Sequence, residues 1–402
     1  MLFEQTTLGD VSKGGKGYYG IAASAVDYSD ELYTYLRITD IKDDGTIDFG
    51  GLKSVNDGKA ANYVLQPNDI VFARTGASTG RNYFYDGSDG QFVYAGFLIK
   101  FSIDPDKVNP RYVKYYCLSQ EYKGWIVSYN TGSTRGNINA QTLAQMPLLL
   151  PERTQQDKMV DILSSIDRKI KENEKINKNL EQQAQALYRS WFVNYEPFGG
   201  TKPADWINGS IDDLGSEIIC GKTPSTKKTE YYGGSTPFIT IPDMHGCVYT
   251  VSTERYLSAA GVASQSKKTI PRNSVCVSCI GTAGLVTLVS EESQTNQQIN
   301  SIVHKEGVST YYTYLLMQTL SETINKLGQS GSTIVNLNKT QFGKIPVIVP
   351  SKHVSQEFDS LCRPLFEKIL LNQKENIKLS ALRDTLLPKL MSGEIDVSTL
   401  DL

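Results

Sequence analysis

Histidine is scarce in this chain, with three in 402 residues, and none of His245, His304 and His353 sits beside an evident nucleophile. Much hydrolytic and acyl-transfer chemistry relies on a positioned imidazole as proton carrier, and no such constellation is visible. Cysteine is sparse too. The six residues are scattered, without the dense framework of a disulfide-stapled secreted domain. No apolar run reaches the roughly 20 residues that cross a bilayer. The opening Met1-Leu-Phe-Glu-Gln5 is already acidic and polar, unlike a secretory leader, so a cytoplasmic protein without membrane contact is expected. An excess of one charge is also missing: 41 basic side chains face 43 acidic ones, for a net charge of −2. Bulk charge therefore argues neither for nor against nucleic acid. Any DNA affinity must come from local basic patches or from positive surface supplied by a partner.

Some apparent motifs lack the parts their chemistry requires. Gly221-Lys-Thr223 resembles the end of a phosphate-binding P-loop, but the position five residues before Gly221 is Ser216, not glycine. Cys276-Val-Ser-Cys279 has metal-ligand spacing but no second pair. It lies in a strand pattern whose other copy carries Phe72 and Thr75, so buried structural thiols are expected. Pro105-Asp106 followed by Glu121-Tyr-Lys123 loosely mimics a metal-dependent nuclease motif, with no equivalent in the second half. A methyltransferase loop of the Asn-Pro-Pro-Tyr type is absent.

What the chain does contain is a long repeat. Residues 131–191 lie over residues 330–390 at a constant offset of 199, without a gap. Gly132-Ser-Thr134 matches Gly331-Ser-Thr333, Asn137-Ile-Asn139 matches Asn336-Leu-Asn338, and Pro147 and Pro151 match Pro346 and Pro350. Each copy ends in a stripe. The first runs Met159, Leu163, Ile166, Ile170, Asn173, Asn177, Leu180, Ala184, Leu187, Trp191; the second runs Phe358, Cys362, Leu365, Ile369, Asn372, Asn376, Leu379, Arg383, Leu386, Leu390. Spacings of four and three alternate without a slip, which is the signature of a heptad seam. Each stripe implies about 50 Å of helix at 1.5 Å per residue. Asn in such a seam costs stability and fixes register where it meets another polar group.

Connectivity selects the direction of pairing. A short linker, Glu196-Pro-Phe-Gly-Gly-Thr-Lys-Pro203, leads from the first helix into the second globular segment. A compact body of that size has a radius of gyration of roughly 15 Å, so the second helix must start near where the first stops. Antiparallel pairing follows. It sets Asn173 against Asn376, Asn177 against Asn372, Ala184 against Leu365, Trp191 against Phe358 and Met159 against Leu390. Ile166 against Arg383 is the poor match, with the Arg head expected to reach solvent along its stem. Trp191, Phe192, Leu387, Leu390 and Met391, near the helix ends, either cover the helix pair or form an apolar surface for a partner.

Residues 1–150 and 204–350 read as short strands and Gly-rich turns, with abundant Tyr and alternating β-branched residues. Helical stretches are expected near residues 111–128 and 310–327. Leu36-Arg-Ile-Thr-Asp40 resembles Ile239-Thr-Ile-Pro-Asp243, and the segments from Pro67 and from Pro271 run to Gly-rich turns at Gly76–Gly80 and Gly281–Gly284. The expected fold is α+β: two strand-rich globular domains held apart by two long antiparallel coiled-coil helices, a pseudo-two-fold tandem repeat. The divisions are 1–150, the spacer helix and linker 151–203, 204–350, and the second spacer helix 351–402. A common scaffold with different loops suits two modules that read different targets.

The chain resembles the DNA-specificity subunit of a Type I restriction–modification enzyme over nearly its whole length. The first helix from Ile176 through Trp191-Phe-Val-Asn-Tyr-Glu-Pro-Phe198 carries the resemblance, as does Leu382-Arg-Asp-Thr-Leu-Leu-Pro-Lys-Leu-Met-Ser-Gly-Glu-Ile395. Leu214-Gly and Gly221-Lys-Thr-Pro-Ser225 are similar to the opening of a target-recognition domain; the first half departs from that form at Leu8–Gly17. The resemblance implies a non-catalytic subunit whose two target-recognition domains each read half of a split, asymmetric site in double-stranded DNA. It also implies docking of two modification subunits, which bring S-adenosylmethionine, and of restriction subunits, which bring ATP hydrolysis and Mg²⁺-dependent cleavage. Two half-site readers on one face of DNA should sit about 34–36 Å apart.

Candidate DNA contacts follow from side-chain chemistry. Ser133, Thr134 and Arg135, and Ser332 and Thr333, lie in loops offering donors for phosphate; the same groups suit turns that cap the next strand. Arg74 and Arg81, with Thr75 and Ser78 between them, can reach base edges or phosphates, or remain solvated. Lys222 and Thr223 beside Gly221 can touch phosphate, and Thr282 in the second Gly-rich turn is a further candidate DNA contact. Gln297 and Gln298 carry amides suited to adenine, though amides at a strand end are often structural. Two other classes stay open: a DNA-modifying or DNA-cleaving enzyme in its own right, and a coiled-coil adaptor that does not touch DNA.

Overall fold

The computed structural model describes residues 3–130, 136–329 and 336–398. The chain forms two compact units, one of Met1–Arg168 with Leu379–Leu402, the other of Lys169–Lys378. Both are α+β and rich in short strands.

In the first unit, Glu4–Thr7 pairs antiparallel with Pro147–Leu150. One four-stranded sheet runs Tyr18–Tyr19, Leu98–Ser102, Asp69–Ala73, Asn82–Tyr85 in spatial order. Another runs Ala25–Val26, Lys53–Val55, Tyr33–Leu36, Phe92–Tyr94. The strand Asp69–Ala73 is apolar throughout its last four residues because both of its faces are covered. Ile70 and Phe72 enter the core shared with the helices; Val71 and Ala73 enter the other.

The second unit repeats this plan. Ile207–Ser210 pairs with Pro346–Val349. A five-stranded sheet runs Gly215–Cys220, Ile299–His304, Val275–Ser278, Val286–Val289, Tyr249–Thr250. A four-stranded sheet runs Arg255–Leu257, Tyr232–Ile239, Ser293–Thr295, Thr269–Ile270. Asn139 and Asn338 cap the short helices Ala140–Ala144 and Lys339–Gly343, their side chains accepting from the N–H groups of Thr142 and Gln341.

Each expected helical stretch before the Gly-Ser-Thr loops is present and is made of two helices: Pro110–Tyr116 and Gln120–Asn130, then Thr310–Thr319 and Ser321–Gln329. In the first unit the Ser119 hydroxyl accepts from the N–H of Tyr122, the bond that starts a new helix. The breaks also serve the turns. Tyr122 Oη donates to Gly80 O and Ser321 Oγ donates to Gly284 O, so each second helix is tied to one Gly-rich turn.

The long helices are Arg153–Phe192 and Lys352–Met391, 40 residues each. They pair antiparallel. Within the second unit, Asn173 Nδ2 donates to Asn376 Oδ1 at 2.8 Å, Asn372 Nδ2 donates to Asn177 Oδ1 at 2.8 Å, and the Trp191 and Phe358 rings lie 5.7 Å apart. Within the first, Met159 and Leu390 share one core, and Arg383 Nη1 meets Asp167 Oδ1 at 3.2 Å. No stripe residue is exposed.

Arg383 corrects one expectation. Its head does not reach out to solvent but turns to Asp167, which also accepts from Lys114 Nζ and Tyr115 Oη at 2.8 Å each. Burial acts upward on the Asp167 carboxyl, but Lys114, Tyr115 and Arg383 together hold it below its ordinary range. Trp191, Phe192, Leu387, Leu390 and Met391 are all buried, so they fill cores.

Candidate functional site

In both units two backbones touch where a glycine follows the opening segment. In the second, Gly221 N–H donates to Ile299 O at 3.1 Å and Lys222 N–H to Thr295 O at 2.9 Å. In the first, Gly20 N–H donates to Leu98 O at 3.1 Å and Ile21 N–H to Tyr94 O at 3.1 Å. A Cβ on Gly221 would lie 2.2 Å from Asn296 O, and one on Gly20 would lie 2.2 Å from Ala95 O. Such an approach excludes any side chain. Gly20-Ile21 is therefore the counterpart of Gly221-Lys222, beyond the Leu8–Gly17 segment where the sequence pointed.

A second pair of turns closes on this crossing. Arg74 N–H donates to Phe97 O and its carbonyl accepts from Ile138; Cys279 N–H donates to Gln298 O and its carbonyl accepts from Leu337. Thr75 bridges Asn137 and Ile280 bridges Asn336. Gly76 and Gly281 take positive φ of 74° and 77°, and in the turns before the strands that lead to them Asn68 and Asn273 take 74° and 66°. These constraints agree on one register, in which Arg74 matches Cys279 and Val71 matches Cys276. The sequence pairing of Phe72 with Cys276 and Thr75 with Cys279 is off by one residue. Pro67 and Pro271 look alike but are not equivalent, and in a strand a shift of one exchanges the faces. The two thiols face different cores, Cys279 toward the helices and Cys276 away from them, so they cannot share a metal ion. Burial pushes each of them up to about 12.

The candidate contacts fall around these turns. Arg74 is half-buried with its guanidinium 5.1 Å from the Tyr19 ring centre, and its Nε is buried without a hydrogen-bond partner. Thr75 is half-buried at its bridge. Ser78 ends the turn Gly76–Ser78, which Thr79 fastens by donating to Gly76 O at 2.7 Å and to Gly136 O at 3.1 Å. Arg81 is engaged elsewhere: it forks onto Asp43 at 2.6 and 3.1 Å and donates to Ile41 O.

In the second unit Thr223 Oγ1 donates to Gln297 Oε1 at 2.6 Å. Gln298 Oε1 accepts from Asn296 Nδ2 at 2.9 Å, while its Nε2 donates to Ile280 O beside Gly281 and the exposed Thr282. Lys222 is exposed. The fold thus gathers Lys222, Thr223, Thr282, Gln297 and Gln298. Ser133, Thr134, Arg135, Ser332 and Thr333 lie outside the described residues.

Sequence reasoning passed over Tyr19 and Phe97. Both are exposed, Tyr19 at 43% and Phe97 at 58%. An aromatic residue in a strand-rich segment reads as core by default. The available signal was Gly96, which marks a turn between Phe92–Tyr94 and Leu98–Ser102. The first turn presents stacking groups beside a guanidinium, and the second presents hydrogen-bonding groups. Among the described residues no group of three or more His, Cys, Asp or Glu is arranged to hold a metal, and no helix is long and apolar enough to cross a membrane.

Two related α+β units, each holding part of both long helices and each closing a polar or aromatic turn with a glycine crossing, define a tandem-repeat scaffold. The family described as the Type I restriction modification DNA specificity domain matches residues 2–182 and again residues 203–381, and the chain belongs to it. It is 32% identical to the Type I restriction enzyme HindI specificity subunit of Haemophilus influenzae, over 83% of this chain and 88% of that one. It is 24% identical to the MjaIX specificity subunit of Methanocaldococcus jannaschii, over 74% and 72%. In fold it is similar to the crystal structure of the S subunit from the M. genitalium Type I system, with a TM-score of 0.59 and 15% identity across 96% of each chain.

Proposed function

We propose that this specificity subunit reads a bipartite, asymmetric site in double-stranded DNA. Residues 1–150 take one half and residues 204–350 the other. The observation that carries this reading is the doubled turn: one backbone frame, built twice, holds Arg74, Tyr19 and Phe97 in one unit and Thr223, Gln297 and Gln298 in the other. A shared frame fixes how each unit meets the duplex, while differing side chains let each meet different bases. Arg74, Thr75, Ser78, Lys222, Thr223, Thr282, Gln297 and Gln298 are the contacts, joined by Ser133, Thr134, Arg135, Ser332 and Thr333. Arg81, with its fork on Asp43, braces the first turn.

The helix segments in 151–203 and 351–402 dock two modification subunits, and restriction subunits join that assembly in the cytoplasm. S-adenosylmethionine, ATP and Mg²⁺ belong to those partners; this chain contributes recognition and no chemistry of its own. Replacing residues 1–150 with those of a relative should change one half of the methylated target and leave the other half intact, as read by methylome sequencing. A target altered in both halves, or in neither, defeats the reading. Turnover of DNA by this chain alone with Mg²⁺, S-adenosylmethionine and ATP would favour the enzyme alternative.

A further inference from the structure

We propose that Phe97 is the base-reading side chain of the first unit and that it recognises the C5-methyl group of a thymine in the major groove. The inference rests on the DNA-reading function above and assigns it a specific group.

Phe97 and Gln298 occupy the same backbone position. The carbonyl of Phe97 accepts from Arg74 N–H at 3.1 Å and that of Gln298 accepts from Cys279 N–H at 2.8 Å. Each residue opens onto the strand that follows, Leu98–Ser102 or Ile299–His304. Around this shared position the chemistry differs. In the second unit the preceding residue is Gln297, bonded to Thr223, and Gln298 itself is an amide. In the first unit the preceding residue is Gly96, where a Cβ would come within 3.2 Å of Ile21 O, and the place of Gln298 is taken by a ring with no hydrogen-bonding atom.

The ring is accessible. Phe97 is 58% exposed. A lone exposed Phe is unremarkable by itself. This one is tied through its carbonyl to the N–H of Arg74, whose guanidinium rests on the exposed Tyr19 ring and whose Nε has no partner. A cation suited to phosphate thus stands beside an apolar surface suited to a base edge. A side chain without donors or acceptors distinguishes base pairs only by apolar contact. In the major groove thymine is the one base that offers a methyl group. The amide of Gln298, at the same place, suits adenine.

The test uses the full chain in complex with its modification subunits. Selection from random duplexes gives the target, and each thymine is then replaced singly by deoxyuridine, which lacks only the methyl group. One replacement in one half should weaken binding about fourfold, the effect of returning one methyl group to water. Phe97→Ala should bind the thymine and deoxyuridine duplexes alike, with an unchanged melting temperature because the ring is exposed. Gln298→Ala should disturb only the other half and keep the deoxyuridine effect. Phe97→Gln should shift preference at that position from thymine toward adenine. Deoxyuridine tolerated throughout that half by the wild type, or a deoxyuridine effect that survives in Phe97→Ala, overturns the assignment while sequence selection stands. Failure of the wild type to select any sequence overturns the underlying function and this assignment together.

Discussion

In the first unit Asp40 accepts the backbone N–H of Arg37 at 2.8 Å and the Arg37 guanidinium at 2.6 Å; in the second, Asp243 accepts the backbone N–H of Thr240 at 2.8 Å and its hydroxyl at 2.7 Å. The helix seam shows the same contrast. Asp167 and Arg383 form a half-buried ion pair, while their counterparts 199 residues away, Phe366 and Ala184, are apolar, and Phe366 stacks on Tyr311 at 4.5 Å. In both comparisons the backbone arrangement is common and the side-chain solution is not. Buried N–H and C=O groups must all be paired, so the ladder and turn bonds leave little freedom. Side chains need only fill volume and satisfy their own polar atoms, and several combinations do so. Divergence between the two units costs least where it leaves the main-chain bonds alone.

The glycine crossings give the most severe test of this equivalence. Gly221→Ala and Gly20→Ala should each destabilise by about 3 kcal/mol or more, because the added methyl meets backbone oxygens that cannot move aside. Gly58→Ala, where a Cβ meets nothing within 4 Å, should change stability by no more than about 0.5 kcal/mol. Urea melts compare the three. A mild effect at Gly20 beside a severe one at Gly221 would break the equivalence.

The seam gives a smaller effect. Arg383→Ala leaves Asp167 with Lys114 and Tyr115 alone and should cost about 2 kcal/mol; adding Asp167→Asn should cost less than the sum of the two single changes. The pH dependence has a definite sign. Burial raises the Asp167 carboxyl, but its three partners leave it below the ordinary value, so it stabilises the fold above the unfolded pKa of about 3.9. That contribution disappears as pH falls through the folded value. The gap between wild type and Asp167→Asn should therefore be full at neutral pH and close in acid. A gap that widens in acid would contradict the assignment.

The parts of the molecule governed by a strict period were legible from residue order. A heptad stripe repeated at an offset of 199 fixes two helices of equal length, and linker length fixes their direction. The turns were less legible, because short strands carry little periodic information and insertions shift them. Pro67 and Pro271 drew the strand alignment one residue out of place, although the left-handed Asn68 and Asn273 reveal the true register. Gly20 was hidden among the glycines of the first thirty residues, since only the contact with Ala95 distinguishes it. Arg383 looked misplaced because its partner Asp167 sits one residue off the stripe, which a one-dimensional pattern does not weigh.

The Asn pairs should show the smallest change in stability and the most informative change in geometry. Asn173 donates to Asn376 and to Glu375, and Asn372 donates to Asn177, yet Oδ1 of Asn173 and of Asn372 is buried without a partner. Each such acceptor costs about 1–3 kcal/mol, so these amides are a poor way to add stability. Asn173→Leu with Asn376→Leu should leave stability unchanged or raise it by about 1 kcal/mol. The cost should appear in register, because leucine packs against a seam shifted by one heptad nearly as well as against the original. Native Cys362 reports this directly. With Leu187→Cys, which stands opposite it in the observed register, oxidation should give a cross-link in either background. With Leu180→Cys, one heptad away, a cross-link to Cys362 should form only when both Asn residues are leucine. A marked loss of stability with no shifted cross-link would mean that the amides support the helix pair rather than align it.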